Sequence, residues 1–465
     1  MGNLDLVVIS VYFAILIGVG ILGSFKAKTS EDYVLAGRNL GMFMYFGCLA
    51  AVILGGASTI GTARLGYEYG VSGIWLVAML GIGITLLGLF FSDKILNLRV
   101  MTISEYLSKR FNKEAGFLSA IVSSLYALMV TVTQIIGMGS ILNVLLNWNL
   151  TLSMFVGGGL VLFYTVLGGM WSVTMTDVIQ FVVMTVGIFF IMLPMSISKV
   201  GGLASLENQL PAGFLSISNI GVDRIFQYFL LFALGMVVAQ DIWQRISTAK
   251  TKEIAKKGTI FAGIYSVFYG ITISVIGICT FIYLPSLEDS QTTFVSMALA
   301  ILPTGVLGLI VAAVVSALMS TASGTLLAAS TLITNDIIKT LSNKQMSDGT
   351  YLLVSRIVTG IVGLISIIIA VWVQDILIAM DIAYSLLSGG IFVPVLLGLF
   401  WPKATSKATI CAIVGSMLVI IISLIIEGST STHPIIYGIV TSFLILVPGS
   451  LLGQRNIKEV EEKTS

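Results

Sequence analysis

Runs of about twenty apolar residues recur along the whole chain, and no other feature limits its fold so tightly. A bilayer core about 30 Å thick takes roughly 20 apolar residues per helical crossing, because unpaired backbone groups in lipid are too costly to tolerate. Only 10% of the 465 residues are charged and 57% are hydrophobic, a membrane composition. The first run, Leu4 to Gly23, has no basic stretch before it and no small-residue cleavage site after it, and reads as a retained helix. Cys48, Cys279 and Cys411 all lie inside apolar runs without metal-ligand spacing, and read as small core residues.

Charged residues and Gly, Pro and Asn divide the runs into thirteen expected helices: 4–24, 41–63, 70–92, 115–147, 152–169, 174–198, 225–247, 258–284, 303–338, 349–374, 378–400, 406–427 and 433–452. Lys and Arg gather in cytoplasmic loops. With the N-terminus outside, every Lys and Arg except Arg64, Lys199 and Arg224 falls inside. This predicts an outside N-terminus, a cytoplasmic C-terminus with a tail over 453–465, and residence in the cell membrane. Arg245 with Lys250, Lys252, Lys256 and Lys257 reads as part of the charge pattern that sets this orientation.

A long-range symmetry lies over this pattern. The second helix is interrupted at Gly55-Gly56, and the seventh, five helices later, at Gly235 followed by Gln240-Asp241. Five is odd, so the two halves would be inverted in the membrane. Helices broken at corresponding places free carbonyls and half-helix ends to bind ions and solute at the midplane. Glycines used only for close helix packing would leave the same trace.

The longest polar interruption of an apolar helix is Ala317-Leu-Met-Ser-Thr-Ala-Ser-Gly324. At helical spacing Ala317, Ser320 and Thr321 share one face, and Ser323 and Gly324 continue toward the next. These hydroxyls, with carbonyls freed near Gly55, could cage a sodium ion; they could equally bond back to their own helix. Asp177 follows a hairpin so short that its carboxylate lies at or just inside the next helix, where an ionisable group is a functional candidate or a first-turn cap. Asp241 and Asp381 read as facing cytoplasm and exterior. The single histidine, His433, falls in an outside loop and provides no proton relay. No phosphate-binding loop, paired carboxylates or Ser/His/Asp set points to an ATP-driven pump or an enzyme, and nothing points to nucleic acid or an obligate protein partner.

Three motifs, Ala36-Gly-Arg-Asn-Leu-Gly41, Gly168 to Gln180 and Ala317 to Ser323, together resemble those of the sodium:solute symporters from the first helix to about the eleventh. The resemblance implies an all-α membrane protein of about 13 transmembrane helices. Its core would be a LeuT-type inverted five-helix repeat (41–198 and 225–400), preceded by one helix (4–24) and followed by two (406–452). It implies sodium as coupling ion, held by the carbonyls of Ala51, Leu54 and Ala317 and the hydroxyls of Ser320 and Thr321. A candidate second sodium would use Asp177, Ser320 and Ser323, although Gly324 stands where another serine would be. Solute would be held by Gly55, Gly56, Ser58, Thr59, Gln134, Gln240 and Tyr384.

The expected function is therefore sodium-coupled import of a small organic solute by alternating access across the lipid bilayer. Local similarity to choline transporters is offset by Ile53 and Ala239 at positions matching cage tryptophans, which a quaternary ammonium needs. Half-helix N-termini near Ser58 and Thr59 suit a carboxylate, which favours an amino acid or organic acid. Proton coupling, or a choline or sugar cargo, are the alternatives.

Overall fold

The structure is a computed structural model that describes residues 2–342, 346–428, 431 and 433–464. Among the described residues every regular element is helical, apart from one isolated bridge between Leu40 and Ala249. Ten helices are long and apolar enough to cross a membrane, and a bent pair would make eleven. The sequence count of thirteen exceeds this because broken and short helices, such as Met42–Ile53 and Leu150–Phe163, are too brief to qualify on their own length.

The polarity of the bundle follows from its solvent. Large apolar side chains point outward in helical stripes, such as Leu4, Val7, Val11 and Ile15, or Ile357, Ile361, Leu364 and Ile368. Small and hydroxyl residues pack inside, where they allow close approach and hydrogen-bond across helices. Helix Val306–Thr331 carries this furthest: Ala312, Ala313, Ser316, Ala317, Ser320, Ser323 and Gly324 are all buried. It lies between helices Lys113–Leu146 and Leu150–Thr185, and Thr325 Oγ1 meets Thr131 Oγ1 at 2.8 Å.

Three interruptions shape the centre. Helix Met42–Ile53 ends at Leu54 (φ −98°, ψ 52°), and the chain resumes through a π-helical turn, Ala57–Gly61, into Thr62–Tyr69. The glycines here are required by proximity. A Cβ on Gly55 would stand 2.4 Å from Gln134 Oε1 and 2.6 Å from Thr321 Oγ1. The seventh span breaks at Ala239, which is extended (φ −71°, ψ 122°) between Leu234–Val238 and Gln240–Ile246, with a 42° bend. Gly235 was the expected breakpoint, yet it stays helical; its missing side chain makes room for the Tyr384 ring, 2.4 Å from where a Cβ would be. The third interruption is Gly169 (φ 56°, ψ −150°), a sharp turn inside Leu150–Thr185 in place of the expected hairpin over 169–174, packed against Tyr33. The last helix, His433–Thr464, continues past 452, where the sequence pattern ends it.

Candidate functional site

The break after Ile53 is pinned from two sides. Gln134, buried in helix Lys113–Leu146, accepts from the Gly56 amide at 2.5 Å. Thr321 donates from Oγ1 to the Val52 carbonyl at 2.7 Å and to the Ala317 carbonyl at 3.3 Å. Val52 sits in the last turn of its helix, where carbonyls have no intrahelical partner, so this bond joins the broken helix to Val306–Thr331. Ala51 accepts from the Leu54 amide at 3.3 Å. Ala51, Leu54, Ala317 and Thr321 thus lie at one junction between the two helices, and all are buried. Ser320, the residue before Thr321, donates to Asp177 Oδ1 at 2.5 Å. A hydroxyl that donates its proton to a carboxylate keeps lone pairs for a cation, so neither bond conflicts with an ion at the junction.

Asp177 is not a helix cap. It lies two turns beyond Gly169, fully buried, and its Oδ2 also accepts from Arg245 Nη2 and Cys48 Sγ, each at 3.1 Å. Arg245 departs further from expectation. It is fully buried in the core, and is no cytoplasmic topology residue. The short helix after the Ala239 break carries it inward, and Gly324 leaves it space: a Cβ there would stand 2.5 Å from Nη2 and 2.8 Å from Nη1. The Ser323 hydroxyl bonds back to the Ser320 carbonyl at 3.1 Å.

Beside the junction is a small central cavity of about 10 Å³, room for one water-sized body. Its walls include Gly55, Ser58, Tyr126, Gln134, Asp241, Thr321 and Tyr384. Tyr126 Oη reaches Asp241 Oδ1 at 3.3 Å and Tyr384 Oη at 3.1 Å. Asp241, expected at the cytoplasmic surface, is therefore a buried carboxylate facing the cavity, and neither it nor Tyr126 was among the expected solute residues. Their signal was weak. Asp241 stands just before a basic cluster and reads as the end of a span, while Tyr126 lies unmarked in an apolar run.

The other expected solute residues separate. Gly56 presents its amide to Gln134 beside the cavity. Ser58 lines the wall but donates to the Ile53 carbonyl at 2.8 Å. Thr59 bonds Tyr269 Oη at 2.7 Å, outside the lining. Gln240 is engaged below: its Oε1 accepts from the Ile103 amide at 2.8 Å and its Nε2 donates to the Met101 carbonyl at 3.2 Å.

Met101 also lines a vestibule of about 1010 Å³, together with Arg38, Arg99, Lys113, Lys250 and Lys339, so the opening lies on the face that bears the basic loops. Two ion pairs lie among the segments expected on the opposite face, Arg64 to Asp375 at 3.0 Å and Arg224 to Asp381 at 2.9 Å. Asp381 is buried in its pair, where an exposed exterior position was expected.

A broken helix held against a hydroxyl-bearing helix, beside an occluded cavity and a one-sided vestibule, is the plan of a secondary transporter. The sequence profile of the sodium:solute symporter family matches residues 33–418. The chain belongs to the sodium:solute symporter family. A sodium/glucose cotransporter of Vibrio parahaemolyticus is 28% identical, with 89% of this chain and 84% of that protein covered. The osmoregulated proline transporter OpuE of Bacillus subtilis is 22% identical, with 97% of this chain and 95% of that protein covered. The solved structure of a Na+-coupled sialic acid symporter in its substrate-bound outward-open state superposes with a TM-score of 0.82 at 19% identity, over 97% of this chain and 98% of that one. The symporter is thus a multi-pass membrane transporter and not an enzyme, and membership of this family implies sodium as its coupling ion.

Proposed function

We propose that this symporter imports a small polar solute together with sodium by alternating access, and that the ion binds where the Gly55-Gly56 break meets Val306–Thr331. The observation that carries the reading is the Thr321–Val52 bond: an ion at this junction would join the two helices, which gives sodium different affinities in the two access states. The ligands would be the carbonyls of Ala51, Leu54 and Ala317 and the hydroxyls of Ser320 and Thr321. None of these groups titrates, which favours sodium over a proton. The basic loops around the vestibule support a cytoplasmic position for that face, with the N-terminus outside. Counting the two broken spans and the two segments around Gly169 as crossings gives thirteen, and supports two inverted five-helix repeats with one leading and two trailing helices.

The cargo would contact Gly55, Gln134, Tyr126, Tyr384 and Asp241. A cavity that already holds a buried carboxylate repels a plain organic anion. It suits a solute with N–H or O–H donors, and within the carboxylate-bearing class it favours a zwitterionic amino acid over an organic acid. The test is a thermal-shift screen of amino acids, organic acids, sugars and amines with and without sodium, since a bound ligand stabilises the folded form according to its occupancy. An amino acid that stabilises only with sodium is the expected result. Stabilisation by dicarboxylates instead, or stabilisation indifferent to sodium but sensitive to pH, would refute it.

A further inference from the structure

Two buried carboxyl groups and one buried guanidinium surround the junction. With both carboxyls ionised, Asp177 and Asp241 carry two negative charges against the single positive charge of Arg245; all three are buried. An uncompensated charge there costs several kcal/mol. One monovalent cation at the neighbouring junction brings the group to neutrality, and two would leave it positive.

The geometry also says which carboxylate has its own cation. Asp177 receives Ser320 Oγ on Oδ1 and Arg245 Nη2 on Oδ2, with Cys48 Sγ beside it. A Cβ at residue 324 would stand 2.5 Å from Nη2 and 2.8 Å from Nη1, so a side chain there would displace the guanidinium from this position. The Ser323 hydroxyl bonds the Ser320 carbonyl and does not reach Asp177. Asp241 has no such counter-ion at its carboxylate: Tyr126 is its side-chain partner, and Arg245 reaches only its backbone carbonyl, at 3.3 Å.

We infer that Arg245 is a tethered cation that permanently fills the cation position at Asp177, so that the symporter binds a single sodium ion, whose counter-charge is Asp241. This rests on the sodium-coupled reading above. It makes Gly324 a stoichiometry-setting residue, since its hydrogen is what admits the guanidinium.

The test counts ions with 22Na+ alone, by equilibrium binding to the purified full-length protein, and needs no solute. One saturable sodium per chain is expected. Two would overturn the inference while leaving sodium coupling intact, and none would overturn the sodium-coupled reading itself. Arg245→Met, which frees Asp177, is expected to bind a second sodium, and adding Asp177→Asn to it is expected to return the count to one. If R245M, shown folded by its retained first sodium, stays at one, the arginine fills no cation position and the inference fails. If R245M does not fold, the wild-type count still decides.

Discussion

Thr321→Val removes one oxygen and keeps the shape of a buried side chain, so it isolates what that hydroxyl does. In the structure Oγ1 donates to the Val52 carbonyl at 2.7 Å. The net loss of that bond is about 1 kcal/mol, and an orphaned buried carbonyl can raise the cost to about 3 kcal/mol. The fold survives this. Sodium binding should suffer separately, because one of the five proposed oxygen ligands is gone. A hydrogen bond to a charged group contributes about 1.5–3 kcal/mol, and taking the ion–hydroxyl contact as similar, the half-saturating sodium concentration should rise on the order of ten- to a hundredfold at ~1.4 kcal/mol per decade. The assay is the melting temperature of purified protein titrated with sodium chloride against choline chloride at constant ionic strength. Thr321→Ser, which restores the oxygen, should recover most of the affinity. A T321V protein that keeps the wild-type sodium midpoint would refute the placement of the ion, whatever its stability.

Gly55→Ala places a methyl within 2.4 Å of Gln134 Oε1 and 2.6 Å of Thr321 Oγ1. Overpacking of this kind costs about 1–3 kcal/mol, and sodium-dependent stabilisation should be lost, whereas Gly20→Ala, which meets nothing within 4 Å, should behave as wild type. Asp241→Asn removes the proposed counter-charge and should raise the sodium midpoint by on the order of tenfold, read in the same titration; an unchanged midpoint would remove Asp241 from that role. Breaking the two ion pairs with Arg64→Ala and Arg224→Ala together should shift the population toward opening on that face by about 1 kcal/mol, roughly fivefold. The readout is the rate at which a membrane-impermeant maleimide, added from the side opposite the vestibule, labels a cysteine placed at Met380 in the cavity wall.

The sequence disclosed most where one residue type has one physical use. Apolar runs of bilayer length marked the membrane, and the Gly55-Gly56 pair marked a break that the structure explains through the close approach of Gln134 and Thr321. Legibility failed where a side chain's surroundings come from distant segments. Arg245 sits in a basic cluster and shared its reading, yet the Ala239 break turns a seven-residue helix inward and buries it. Asp241 moved with it. Gly324 looked like a missing ligand and is the space for that arginine, a relation between residues 79 positions apart that no local pattern carries. Thr59 and Gln240 show the converse: residues of the right chemistry in the right segment, with hydroxyl and amide already engaged by Tyr269 and by Met101 and Ile103.

Sodium coupling is tested most directly by uptake into proteoliposomes of whichever solute stabilises the protein in the thermal screen, driven in turn by an inward sodium gradient and by an inward proton gradient of equal size. Concentrative uptake with the sodium gradient alone, abolished in the Ser320→Ala, Thr321→Ala double variant that still inserts and folds, is the predicted result. Equal accumulation under the proton gradient, or flux that equilibrates the solute without ever concentrating it, would contradict it.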